Sequence, residues 1–238
     1  MMERKAPFIV GESYHIYTRG VEKRIVFEDE NDRRRFMILL LVCNSRRVVH
    51  MANLLKKYQG LPLIRIFEKE RPAETLTSIL AYTLMPNHVH LIAREKTPGG
   101  ISKFMSKLMT AYSMYFNTKN DRSGPLFTRP FRSKNIDTDE YFRWVFAYTT
   151  LNPLELFAVD WKTNGIADKR RAIEHLVNYR YSSFQDYFGE SRAESVIIDR
   201  SAFDSVSNVP NIETMLDEFS KNTRHERNVP GNSVPALI

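Results

Sequence analysis

His88 and His90 are separated by a single residue, Val89. Side chains alternate along an extended chain, so both imidazoles leave one face with Cα atoms roughly 7 Å apart, close enough to converge on one cation. Such a pair needs a third ligand from elsewhere, and an oxygen donor suits Mg²⁺ or Mn²⁺ better than a thiolate does. The same spacing also fits two polar residues beside a hairpin turn, so the pair decides nothing by itself. A second feature lies downstream. Between residues 100 and 135 stand Lys103, Lys107, Lys119, Arg122, Arg129, Arg132 and Lys134 against the single acid Asp121. A run of this sign is either a phosphate track or a solvated basic face.

The rest of the chain narrows the classes. It has 238 residues with a net charge of +7, a balance that favours a polyanionic partner, nucleic acid first. Hydrophobic residues make up 42% and charged residues 26%, which permits a real core and argues against wholesale disorder. The lone Cys43 excludes a disulfide framework, a Cys-rich zinc site and a CxxC redox motif, and points to a reducing cytoplasm. The longest apolar run, 36–43, is too short for a membrane span, and the N-terminus lacks the apolar stretch of a secretory signal. A cytoplasmic, nucleoid-associated protein is the expectation.

Elements that position these residues are readable from periodicity. Ser13 to Arg19 alternates as a strand, with Tyr14, Ile16 and Thr18 on one face and His15, Tyr17 and Arg19 on the other. Residues 29–43 read as a core helix whose N-terminus suits Asp29 and Glu30. The segment 61–67 reads as a short strand, and 76–85 with 88–95 as a hairpin turning at Pro86 and Asn87. Apolar residues from Ile101 to Phe116 recur every three or four positions, which predicts an amphipathic helix. A strand over 131–136 leads into a helix that starts with Asp137 and Glu140 and ends near Asn152, before Pro153. This order predicts an α+β, ferredoxin-like antiparallel sheet with helices on one face, plus a C-terminal helical extension. Domain bounds of 1–156, 157–222 for the extension with its accessory helices, and 223–238 for a flexible tail follow from the fading periodicity.

Several ordered segments carry a family resemblance. YHIYTRG at 14–20, MPNHVH at 85–90, Tyr148 to Pro153 as Y-x-x-x-N-P, and YSSFQDYFG at 181–189 together resemble the single-tyrosine HUH transposases, most closely the REP-associated tyrosine transposase group. The resemblance runs in order from about residue 13 to residue 154. It implies that His88 and His90 hold a divalent metal and that Tyr148 attacks single-stranded DNA, leaving a 5′-phosphotyrosine and a free 3′-OH. No nucleotide cofactor is implied. Tyr148 and Asn152 are four residues apart on the helix, so a nucleophile and an amide ligand can face the same ion. Because Pro153 disfavours helical geometry at Asn152, water is the alternative third ligand.

Other residues have two readings each. Tyr112 and Tyr115 lie on an apolar stripe and read as core, and Tyr141 as structural. Trp144 either stacks on a base or packs against the sheet, and Arg19 either touches DNA or pairs with an acid. His15, His50, His175 and His225 have no local partners in sequence and receive no role. The expected DNA contacts are Arg19, Lys103, Lys107, Arg122, Arg129, Arg132, Lys134 and Trp144, with single-stranded or hairpin DNA as partner. The leading function is a metal-dependent single-stranded DNA endonuclease and strand transferase, a transposase-like enzyme. Its rivals are a non-catalytic, domesticated hairpin DNA- or RNA-binding protein and a metal phosphodiesterase that activates water. Monomer and homodimer are both open.

Overall fold

The computed structural model describes residues 7–47, 50–59, 62, 64–158, 161, 165–204 and 211–218. Strand β1 (Ser13–Arg19) is followed by helices α1 (Glu30–Cys43), α2 (Met51–Lys57) and α3 (Ile64–Lys69). The hairpin β2 (Thr77–Met85) and β3 (His88–Glu95), helix α4 (Gly100–Lys119), strand β4 (Arg132–Ile136) and helix α5 (Asp139–Leu151) come next. The strands form one sheet in the order β2-β3-β1-β4, every neighbouring pair antiparallel. This is the α+β antiparallel sheet expected from the element order, but helices cover both of its faces rather than one, because α5 packs opposite α1 and α4.

Alternation along the strands gives the sheet two buried faces. Ile16, Ile79, Tyr82, Leu84, Val89 and Leu91 share one core with α1 and α4, the two crossover helices on one face. Helix α1 is buried from Phe36 through Cys43, as its all-apolar run demands, because α3 and the 3-10 turn Ala193–Ile197 cover the side turned from the sheet. Its start is a capping box: Asp29 accepts from Asp32 N, and Asp32 reaches back to the backbone of Asp29. Helix α4 begins after Gly99, which has no capping side chain, and the buried carboxylate of Glu95 supplies the cap by accepting from Gly100 N and Ile101 N.

The opposite face holds Leu80, Ala81 and Ile92, and helix α5 packs there with Phe142, Val145, Phe146 and Leu151. The C-terminal helical extension completes this second core through Trp161, Leu176, Phe184 and Phe203. The segment around Ser182 also covers the free edge of β2: Leu84 N donates to Tyr181 O at 2.9 Å and Ser183 N to Tyr82 O at 2.8 Å. Pairing an edge in this way removes an exposed row of backbone donors and acceptors.

Two further expectations change. The described part of the segment expected as a strand over 61–67 is helical instead: Ile64–Lys69 forms a helix, with Ile66 and Phe67 buried at consecutive positions. A short apolar run cannot separate strand from buried helix by periodicity, and here the helix covers α1. The cap of α5 is Thr138, whose hydroxyl accepts from Tyr141 N, rather than Asp137. The expected tail, 223–238, lies outside the described residues, as does His225. Among the described residues no helix is long and apolar enough to cross a membrane.

Candidate active site

Register alone gathers the polar residues of the second face. Arg19 stands opposite His88 and Tyr17 opposite His90 across β1 and β3. On the other side of β1, Arg132 opposes Tyr17 and Lys134 opposes His15. Gly20 ends β1 because the backbone there passes under the next turn: a Cβ would lie 2.3 Å from Arg24 O and 2.8 Å from Val26 Cγ1. Gly20 N then donates to Asn87 O at 2.9 Å, which holds the end of β1 against the turn that precedes His88.

Helix α5 brings the tyrosine. Thr83, which opposes His90 on β2, donates its hydroxyl to Thr149 O at 2.6 Å and pins the helix over the sheet. The Tyr148 ring centroid consequently lies 5.1 Å from that of His90 and 6.1 Å from that of His15. His88 and His90 rings are 5.0 Å apart and perpendicular. Tyr141, Trp144 and Tyr148 fall at i, i+3 and i+7 and stack as a row, with centroids 6.1 Å and 5.5 Å apart. Lys134 Nζ sits 4.2 Å over the Tyr141 ring at the outer end of that row.

The inner part is dry. His90 is 3% exposed, Tyr148 4%, and Asn152 fully buried. Burial first, and then Glu155, raise the Tyr148 phenol above its ordinary pKa, while the Asn152 amide holds it partly down. Asn152 stays helical at φ −52°, ψ −34°, because Pro153 takes the second position of a 3-10 turn, Asn152–Leu156, where a missing N–H costs nothing. Although its amide lies near Tyr148, neither amide atom of Asn152 completes a regular hydrogen bond among the described residues. A buried amide without regular partners is costly, and a cation that takes its oxygen as a ligand removes part of that cost.

The donor set suits a small divalent cation. His88 Nδ1 is 2.7 Å from Asn87 Oδ1, an atom that only accepts, so the proton is on Nδ1 and the ring lone pair on Nε2. The Asn87 amide orientation is set by its Nδ2, which donates to Lys23 O at 3.3 Å. Among the described residues no three or more His, Cys, Asp or Glu side chains converge, so a cation held by these two imidazoles would take its further ligands from an amide oxygen or from water.

The basic residues divide. Arg19 lies on the histidine face, and its Nε and Nη1 are buried without a hydrogen-bond partner among the described residues. Arg132 and Lys134 share that face and are exposed, and Arg129 is exposed one residue beyond Thr128, whose N donates to Arg19 O at 2.8 Å. Lys103 and Lys107 are on α4, across the sheet from the histidines, and Lys107 Nζ is bonded to Ser45 O at 2.7 Å. Arg122 is held by Asn117 and Pro125 O. The structure brings none of these three to the imidazoles.

Two neighbours of the site escape sequence reasoning. His15 Nε2 is 3.0 Å from His90 Nδ1, and burial, then Lys134, push its pKa down to about 3. Glu155 follows Tyr148 by seven residues, close enough to influence the phenol. The period-2 pattern does put His15 on the face of Arg19, which is the available signal.

A family model described as IS200-like transposase matches residues 12–150. The matched span contains His15, His88, His90 and Tyr148 and stops before Asn152. No curated protein sequence matches the chain. Among solved structures, that of a REP-associated tyrosine transposase bound to a REP hairpin is similar at 13% identity, over 82% of this chain and 90% of that one, with a TM-score of 0.38.

Proposed function

The chain belongs to the IS200-like transposase family, and from that premise we propose that it cuts and rejoins single-stranded DNA at hairpins or repeats through Tyr148. The observation that carries the proposal is the Tyr148 ring held 5.1 Å from His90, inside a face that also presents His88, Asn152 and the unpaired guanidinium of Arg19.

Tyr148 Oη attacks the scissile phosphorus, the bond to the 3′ oxygen breaks, and the strand leaves with a free 3′-OH while the 5′ phosphate stays on the tyrosine. Reversal by another 3′-OH joins strands and returns the phenol. Bound by His88, His90 and Asn152, an Mg²⁺ or Mn²⁺ ion would polarise the scissile phosphate and favour the phenolate, which burial otherwise opposes. Arg19 supplies a half-buried cation for a non-bridging phosphate oxygen, since a guanidinium whose Nε and Nη1 have no hydrogen-bond partner among the described residues gains most from an anion that binds it bidentately. Arg129, Arg132 and Lys134 line the exposed rim and guide the backbone inward. Trp144, stacked between Tyr141 and Tyr148, keeps the nucleophile's ring oriented and offers an aromatic edge to an unpaired base. We assign the reaction to residues 1–156, and to the extension, 157–222, the covering of the β2 edge.

A hairpin oligonucleotide with a single-stranded flank, labelled on either side of the cut, tests the proposal. The 3′-side fragment becomes covalently attached to protein, chelator stops this, and Mg²⁺ or Mn²⁺ restores it in wild type but not in a His88→Ala, His90→Ala double variant. Attachment of the 5′-side fragment contradicts the polarity. Tight hairpin binding with no adduct under any metal supports the non-catalytic binding protein instead.

A further inference from the structure

We propose that His15 is a positioning residue that selects the metal-binding tautomer of His90; this rests on the reading of His90 as a metal ligand. The two residues are diagonal neighbours on adjacent strands, His15 opposite Ile92 and His90 opposite Tyr17. Their rings lie 18° from parallel, with Nε2 of His15 3.0 Å from Nδ1 of His90. Both side chains are buried, at 2% and 3% exposure, so water does not compete for this contact.

Two ring nitrogens at that distance share one proton, and the direction of sharing decides what the outer nitrogen of His90 can do. When His90 Nδ1–H donates, its Nε2 carries the lone pair and can ligate a cation. When His15 Nε2–H donates, a neutral His90 carries its proton on Nε2 and cannot. His88 meets the same demand through Asn87 Oδ1, which only accepts. His15 therefore plays toward His90 the part that Asn87 plays toward His88, with one difference. An amide oxygen is committed to accepting, whereas His15 accepts only in the tautomer that carries its proton on Nδ1. Partners of this kind hold the ring orientation of metal-bound histidines and typically change metal affinity by about 10- to 100-fold when removed.

The test uses Mn²⁺ alone, titrated calorimetrically into DNA-free protein. His15→Phe keeps the flat ring and removes the acceptor; it should bind Mn²⁺ about 10- to 100-fold more weakly than wild type. His15→Gln places an amide group where Nε2 was and should recover to within about three-fold. Hairpin affinity measured in chelator should be the same for all three proteins within about two-fold, because the contact acts on the metal and not on DNA. His15→Phe binding as tightly as wild type, or His15→Gln as weakly as His15→Phe, overturns the inference while leaving the metal site standing. Wild type binding no more tightly than His90→Ala overturns the metal reading and this inference with it. Long-range ¹H–¹⁵N spectra of the wild-type protein decide the matter without any variant: a proton on Nδ1 of His90 supports it, and a proton on Nε2 overturns it.

Discussion

Tyr112 and Tyr148 sit on helices packed against opposite faces of one sheet, and burial pushes both phenols above their ordinary pKa. Tyr112 lies among Phe27, Phe36 and Phe116, and its hydroxyl donates to Val26 O at 2.5 Å. Tyr148 lies among His15, His90 and Trp144. Around Tyr112 most buried polar groups are answered from within: Asp32 accepts from Glu28 N, Tyr115 and Lys119, and Arg33 donates through Nη1 to Asp29 O, although Arg33 Nε and Asn120 Nδ2 have no hydrogen-bond partner among the described residues. Around Tyr148, both amide atoms of Asn152, two nitrogens of Arg19 and the Thr149 hydroxyl lack regular partners among the described residues. One face spends nearly all its buried polar groups on the fold itself; the other leaves more of them without regular partners among the described residues, which is the capacity the proposed reaction would use.

The contrast breaks most sharply at the two hydroxyls. Tyr148→Phe should abolish cleavage and adduct formation, a loss on the order of 10³-fold or more, while hairpin binding stays within a few fold and stability is unchanged or slightly higher. Activity in this variant, measured by oligonucleotide cleavage, would move the reaction elsewhere. Next in size is the rim of the open face. Replacing Arg129, Arg132 and Lys134 with Gln should weaken binding to every sequence and flatten the slope of log affinity against log salt by about 0.7 for each single-strand phosphate that is no longer neutralised. An unchanged slope would put the DNA track on another surface.

The closed face should answer in stability. Tyr112→Phe leaves Val26 O without its donor and should cost about 1–2 kcal/mol in denaturant unfolding, with wild-type cleavage per folded molecule. The smallest effect concerns acid. Asp29, bonded first by Lys119 and then by Asp32 N, is held below its ordinary carboxylate pKa of 3.8. Its contribution is therefore complete above that value and disappears as pH falls through the lower, folded one. Since Asp29 is 46% exposed, the effect is small, and Asp29→Asn, which keeps a capping oxygen and removes the charge, should flatten the acid limb of a stability curve only slightly.

What is legible in the sequence follows the range of each interaction. His88 and His90, Tyr148 and Asn152, and the alternation of β1 are local patterns, and local geometry puts each on the face where the structure has it. His15 escapes a local reading because its partner is 75 residues away, and only the register of β1 with β3 joins them. Lys103 and Lys107 look equivalent to Arg132 and Lys134 in sequence because charge density does not encode which side of a sheet a helix covers. The segment 61–67 reads wrongly as a strand because burial beneath other elements, rather than a period, decides what a short apolar run becomes. The effect of Pro153 on Asn152 depends on a 3-10 turn that its own ring favours.

The central claim, that Tyr148 is the nucleophile, is tested most directly by trapping wild-type protein on a hairpin oligonucleotide with Mg²⁺, digesting the adduct and sequencing the cross-linked peptide by mass spectrometry. The account predicts a phosphodeoxynucleotide on Tyr148 alone among the 11 tyrosines. A cross-linked peptide that contains Tyr141 or Tyr115 and lacks Tyr148 would contradict it.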